Sequence, residues 1–154
     1  MRLLNGTNVR RIAMDIFVKY LTDTIDPISQ AHPGEWIDLR SSKLIAIRQG
    51  ESTLIPLGVI ISVPSGYESI LVPRSSTFKK YGIVQTNGIG VIDHLYCGPN
   101  DEWKMPVYAT RDTVIPANTR ICQFRIILSQ EVTIRTVNNV MQTKSRGGFG
   151  STGD

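Results

Sequence analysis

The chain has 154 residues, enough for one domain that buries roughly 70% of the surface its unfolded chain would expose. Seventeen Lys+Arg stand against 13 Asp+Glu, a net charge of +4 with no run of five like charges, which suits a small anionic ligand and does not argue for direct nucleic-acid binding. Cys97 and Cys122 form neither a disulfide framework nor a zinc pattern and read as two buried free thiols. No stretch of 18 apolar residues exists and no apolar run follows Arg2, so a cytoplasmic protein without membrane span or signal peptide is expected.

In chain order, residues 9–21 fit two periods. Val9, Ile12, Ile16 and Tyr20 make a helical stripe, while Ile12, Met14, Ile16, Val18 and Tyr20 alternate as in a strand; the β-branched content favours the strand. Residues 22–36 are rich in Asp, Pro, Ser and Gly and read as a loop. Short β-type runs follow at 44–47, 54–63, 69–72, 90–92, 104–109, 120–128 and 132–137. Turn signals at Gln49-Gly50, Pro64-Ser65-Gly66, Asn87-Gly88, Gly98-Pro99-Asn100-Asp101 and Pro116-Ala117-Asn118 separate them. Such spacing predicts an all-β sandwich or barrel. One short helix is expected over 77–81, capped by Ser75 or Ser76 and ended by Gly82. The barrel domain is expected to span 1–137, and residues 138–154 form a polar, flexible C-terminal arm.

Five segments carry groups suited to nucleotide chemistry. Glu35-Trp36-Ile37-Asp38-Leu39 places an acid at a strand edge. Pro73-Arg74-Ser75-Ser76 brings an arginine and two hydroxyls to a helix start, where free N–H groups and the helix dipole favour an anion. In the 87–98 segment Asp93 follows Val91-Ile92, and a carboxylate in apolar company must find a partner or do chemistry. Asn87 offers a donor and acceptors that can read a base edge. His94 has no accompanying nucleophile motif and reads as structural. In Arg120-Ile121-Cys122-Gln123-Phe124, strand alternation places Arg120 and Cys122 on one face and Ile121 and Gln123 on the other. The tail Lys144-Ser145-Arg146-Gly147-Gly148-Phe149-Gly150-Ser151-Thr152-Gly153-Asp154 combines phosphate-binding cations, glycines that admit close backbone approach, hydroxyls and one stacking aromatic.

Taken together, and above all in Gly-Val-Ile-Asp-x-x-Tyr-x-Gly and Gly-Gly-Phe-Gly-Ser-Thr-Gly, these segments resemble the trimeric dUTPase family from about Asp38 to Thr152. The resemblance implies a jelly-roll-like β-barrel with one short helix. It implies a homotrimer with shared active sites and an arm that closes over the nucleotide. It further implies hydrolysis of dUTP to dUMP and pyrophosphate, limiting uracil incorporation into DNA and supplying dUMP for dTTP synthesis. Asp93 would activate a water for attack on the α-phosphorus. Tyr96 would pack against the deoxyribose and leave no space for a 2′-hydroxyl. Asn87 and the backbone around Gly90 and Ile92 would read uracil. Arg74, Ser75, Ser76 and Gln123 would bind the phosphate chain. Mg²⁺ would be held mainly by the phosphates and waters, with Asp38 assisting from the outer shell. Phe149 would stack over uracil while Gly150, Ser151 and Thr152 clasp the phosphates.

The resemblance also frames the alternatives. A dCTP deaminase shares the fold, but in that family the base is a glutamate, and the Ile92-Asp93-x-x-Tyr96 pattern with the Phe-Gly-Ser-Thr tail favours the dUTPase. A phage-encoded member of the family would leave room for a regulatory repressor partner, for which the 22–36 loop is the available feature. Trp36 stands where the family commonly has glycine, Ser76 also replaces a glycine, and Cys122 replaces a common alanine. The family's γ-phosphate arginine usually lies five residues before the phenylalanine, where this chain has Lys144; Arg146 lies three before Phe149. Arg146 is the expected ligand and Lys144 the alternative. Arg146→Ala is therefore expected to lose most of the turnover and Lys144→Ala little, as steady-state kinetics would show; the reverse ranking assigns the role to Lys144.

Overall fold

The computed structural model describes residues 14–29, 36–139 and Gly147. Eleven strands and one helix lie within these residues: β1 (Phe17–Tyr20), β2 (Ile37–Arg40), β3 (Ile45–Ile47), β4 (Ser52–Pro56), β5 (Val59–Ser62), β6 (Tyr67–Pro73), α1 (Thr77–Tyr81), β7 (Ile83–Gln85), β8 (Gly90–Asp93), β9 (Lys104–Ala109), β10 (Thr113–Ile115) and β11 (Arg120–Leu128). All pairings are antiparallel. They form a four-stranded sheet β2-β11-β6-β8, a three-stranded sheet β4-β9-β7, and the two-stranded pairs β1-β5 and β10-β3. The all-β expectation with a single short helix is met, and no closed barrel is formed by the described ladders.

Alternation explains which side chains meet inside. In β9, Met105, Val107 and Ala109 face inward; in β6, Ser69 and Leu71 do. Trp103 and Phe124 pack edge to face at the centre, with ring centroids 5.2 Å apart and planes at 79°. Such a pair is worth about 1 kcal/mol beyond the area it buries. Leu39, Ile55, Leu57, Ile61, Leu71, Ile115 and Ile121 complete one contiguous core.

The strand β11 departs from simple alternation. Its register against β2 shifts between Arg120, opposite Arg40, and Cys122, opposite Leu39, so one extra residue is accommodated. Ile121 and Cys122 are consequently both fully buried. The expected sharing of one face by Arg120 and Cys122 is therefore corrected: Arg120 is exposed and Cys122 lies in the core.

Other differences have equally local causes. The 54–63 run is two strands, because Leu57 and Gly58 leave the ladder: the Leu57 N–H donates to the Trp103 carbonyl (3.0 Å) and the Gly58 N–H to Glu102 Oε1 (3.0 Å), with Gly58 at φ +67°. β7 and β10, of three residues each, are too short to show a period. The 132–137 run forms no strand. Its residues are exposed, and no described strand of the chain lies beside it to take its backbone hydrogen bonds. Of the 9–21 run, residues 17–20 are strand, 14–16 are irregular and 9–13 lie outside the described residues.

The helix ends as expected at Gly82, in the left-handed region at φ 62°, its N–H bonded to the Phe78 carbonyl. Arg111 reinforces that end, donating to the Lys79 and Lys80 carbonyls. The expected serine cap is not made. Ser76 holds the N-cap position with helical backbone angles and no side-chain capping bond, while the buried Thr77 hydroxyl donates to the Ile121 carbonyl (2.7 Å). The described part of the 22–36 loop packs on the barrel wall: Ile25 is buried, the Thr24 hydroxyl donates to the Ser42 carbonyl and the Asp26 N–H to Asn118 Oδ1.

A Cβ on Gly58 would lie 2.8 Å from Ser42 Cβ and 3.0 Å from Thr22 Cγ2, both close to rigid backbone, at a φ that side chains avoid. Gly58→Ala is expected to destabilise the fold by about 2 kcal/mol or more, combining backbone strain and overpacking, as a denaturant midpoint would show; an unchanged midpoint would mean that the β4–β5 junction relaxes freely.

Candidate functional site

Two groups of polar side chains stand out, and β6 connects them. The first flanks a cleft of about 430 Å³ lined by Asn87, Gly90, Val91, Ile92, Asp93 and Tyr96 from the 87–98 segment, by Trp103, Lys104 and Pro106, and by Leu54 and Leu71. That volume is in the range of small-molecule sites. β8 reaches it because Gly90 pairs with Leu71 and Asp93 with Glu68 of β6.

Asp93 is exposed at the end of β8, and its carboxylate is held by the chain just beyond it. Oδ1 accepts from the Leu95 N–H (2.7 Å) and the Tyr96 N–H (3.2 Å), a turn built by the aspartate itself. Among the described residues no hydrogen bond engages Oδ2. The same turn orients Tyr96, a cleft-lining residue 42% exposed, whose hydroxyl reaches the Glu102 carbonyl at 3.4 Å. His94 is half-buried and does not line the cleft.

Asn87 is oriented by a residue that the sequence reading passed over. The buried Gln85 Nε2 donates to Asn87 Oδ1 (2.9 Å) and to the Leu71 carbonyl (3.1 Å). No sequence signal marks it, because the three-residue strand Ile83–Gln85 is too short to show which positions face inward. Trp103, Lys104 and Glu102 also line the cleft without having been anticipated.

The second group centres on Asp38, which faces Gln123 across the β2–β11 ladder. Asp38 Oδ1 lies 2.8 Å from Arg74 Nε and Oδ2 3.2 Å from Arg120 Nη1; the Asp38 and Arg74 side chains are each 26% exposed. Gln123 Nε2 reaches the Pro73 carbonyl at 3.4 Å. Ser75 and Ser76 follow at the start of α1. The structure thus joins Asp38, Arg74 and Gln123 and adds Arg120. None of Asp38, Arg74, Ser75, Ser76 or Gln123 lines the Asp93 cleft. Lys144, Arg146, Phe149, Gly150, Ser151 and Thr152 lie outside the described residues.

These features define a jelly-roll-like all-β protein that carries a nucleotide-sized cleft and a carboxylate-anchored pair of arginines. The dUTPase family model matches residues 27–153. The SPbeta prophage-derived deoxyuridine 5′-triphosphate nucleotidohydrolase YosS of Bacillus subtilis (strain 168) is 47% identical over 140 residues, covering 91% of this chain and 99% of its own. Among solved structures, the dUTPase of Staphylococcus bacteriophage 80alpha with dUPNHPP superposes with a TM-score of 0.74 at 20% identity, over 91% of this chain and 99% of that one. The dUTPase from phage phi11 of S. aureus, described with a structural Mg(II) ion, gives 0.71 at 16% identity, over 83% and 99%. At those identities the two structures bear on the fold alone. The chain belongs to the dUTPase family.

The two thiols differ, against the expectation that both are buried. Cys97 is exposed and Cys122 is fully buried. Burial, and after it the Asp38 charge, push the Cys122 thiol far above its ordinary range, so no thiolate forms there near neutral pH. A thiol reagent at pH 8 is expected to modify Cys97 in the native protein and to reach Cys122 only on unfolding; two equally fast thiols would contradict this burial.

Proposed function

We propose that this protein hydrolyses dUTP to dUMP and pyrophosphate by water attack on the α-phosphorus, with Asp93 as the general base. The observation that carries the reading is the Asp93 carboxylate itself. One oxygen is fixed by two backbone N–H groups, the other is free of protein partners among the described residues, and the residue lines a nucleotide-sized cleft in a chain of the dUTPase family. Attack by neutral water needs a proton acceptor within hydrogen-bond reach, and an oxygen held in place by its twin meets that need without further reorganisation.

The remaining roles follow from chemistry and position. Tyr96, anchored at its hydroxyl, presents its ring as the floor for a deoxyribose and excludes a 2′-hydroxyl. Asn87, with the backbone near Gly90 and Ile92, reads the uracil edge. Arg74 and Arg120, already fixed by Asp38, together with Gln123, Ser75 and Ser76, whose hydroxyl makes no helix-capping bond, bind the phosphate chain. Arg146, Phe149, Gly150, Ser151 and Thr152 close the site from the 138–154 arm.

The separation of the two groups supports a site shared between copies of the chain. The base-reading cleft of one subunit would meet the arginine cluster of another in a homotrimer. Val132, Ile134 and Val137, at 60%, 90% and 58% exposure, supply apolar surface suited to such assembly.

The donors present fit a magnesium ion carried on the substrate. Among the described residues no three His, Cys, Asp or Glu side chains converge, and both Asp38 oxygens already contact guanidinium nitrogens, which limits Asp38 to the outer shell. When bound, the ion would neutralise charge on the triphosphate.

Pyrophosphate release in the presence of Mg²⁺ from dUTP, UTP, dTTP and dCTP tests this reading. Turnover is expected to favour dUTP strongly over the other three. Asp93→Asn is expected to lower kcat by roughly 10²–10⁴-fold, the usual weight of a general base, with the fold intact. Comparable turnover of UTP would remove the assignment of Tyr96, and full activity in Asp93→Asn would remove that of the base.

A further inference from the structure

We infer that Gln85 is the positioning residue that sets the sense in which Asn87 reads the base, so that the cleft accepts a pyrimidine with a carbonyl at position 4 and disfavours one with an amino group there. The inference rests on the reading of the cleft as a nucleotide site and adds to it a relay of three groups: the Leu71 carbonyl, the Gln85 carboxamide and the Asn87 carboxamide.

The relay has a fixed direction. A backbone carbonyl only accepts, so the Gln85 group 3.1 Å from the Leu71 oxygen must be its NH₂. The second hydrogen of that NH₂ points to Asn87 at 2.9 Å, and the Asn87 atom receiving it must be its oxygen. The Asn87 NH₂ is then the group left to donate to a ligand in the cleft that Asn87 lines. Without the relay, Asn87 is an exposed side chain whose amide can turn over and present either a donor or an acceptor. With it, Asn87 donates to the O4 carbonyl of uracil, and the amino group of cytosine meets another donor.

Burial supports a positioning role over a merely structural one. Gln85 is 6% exposed, and its Oε1 is buried with no hydrogen-bond partner. An apolar side chain would fill the same inward position without an unpaired acceptor. What the glutamine adds over methionine is the pair of directed N–H groups.

Gln85→Met keeps length and volume while removing both donors. The quantity to measure is the ratio of kcat/KM for dUTP to kcat/KM for dCTP, in the wild type, Gln85→Met, Asn87→Ala and the double variant, with thermal midpoints alongside. The ratio is expected to fall about tenfold or more in Gln85→Met, the size of one lost directed hydrogen bond. Much of the change should lie in KM for dUTP, and Gln85→Met should add less than about twofold in the Asn87→Ala background. An unchanged ratio, or an equal fall in both backgrounds, overturns the relay, whatever happens to the thermal midpoint. A wild type that does not act on dUTP fails the underlying reading instead. The relay is then decided by side-chain amide exchange in the intact protein, where slow exchange of the Gln85 NH₂ and fast exchange of the Asn87 NH₂ supports it and the reverse order overturns it.

Discussion

Strand β11 is held between β2 and β6 by two antiparallel ladders, and the position of every described phosphate-binding candidate depends on that double pairing. The β2 ladder brings Asp38 opposite Gln123; the β6 ladder brings Pro73 opposite Cys122 and so delivers Arg74 to the same place. The bulge after Arg120 makes this arrangement compatible with a closed core. Two consecutive residues, Ile121 and Cys122, turn inward, and the flanking Arg120 and Gln123 remain available on the Asp38 side. Regular alternation through this segment would force one member of the polar set inward or one apolar residue outward.

Asp38 acts on its arginines in two opposing ways. Its carboxylate fixes Arg74 and Arg120 before any ligand arrives, which lowers the conformational entropy lost on binding. It also offsets part of their positive charge, so the cluster attracts an anion less strongly than two isolated guanidiniums would. A polyphosphate carries several negative charges, and both arginines can meet it with their remaining N–H groups while keeping the Asp38 contacts. Under the proposed function, the arrangement suits a multiply charged phosphate chain.

Legibility in the sequence followed the range over which each feature is encoded. The turn in the 87–98 segment is encoded locally: Asp93 receives N–H groups from the two residues that its own turn brings back. The helix end was readable for the same reason, since Gly82 takes the left-handed angle that its position requires. The helix start was not, because Thr77 bonds to Ile121, 44 residues away, and no local capping pattern reports that contact. The contacts of Arg120 with Asp38 and of Gln85 with Leu71 were not legible on similar grounds. Each acquires its partner from a different strand or from a hairpin whose register is set elsewhere. The 132–137 run failed in the opposite direction: its apolar alternation is real, but a strand exists only where another backbone pairs with it.

The two polar groups answer different demands, and their separation on one chain follows from that. Reading a base needs a narrow, mostly apolar cleft in which a few directed donors and acceptors count heavily; Leu54, Leu71, Trp103 and Pro106 supply the walls around Asn87 and Asp93. Binding a phosphate chain needs half-exposed cations that stay hydrated until the ligand replaces their water. Placing guanidiniums inside the apolar cleft would leave them desolvated and would weaken the contrast between donor and acceptor on which base reading depends. A β-sheet resolves the conflict by sending successive side chains to opposite faces and by using both ends of a strand. β6 carries Leu71 into the cleft wall, and Arg74, just past its end, enters the cluster with Asp38. Under the proposed function, a ligand long enough to need both environments would be served by a second copy of the same chain, its arginine cluster meeting the cleft of the first.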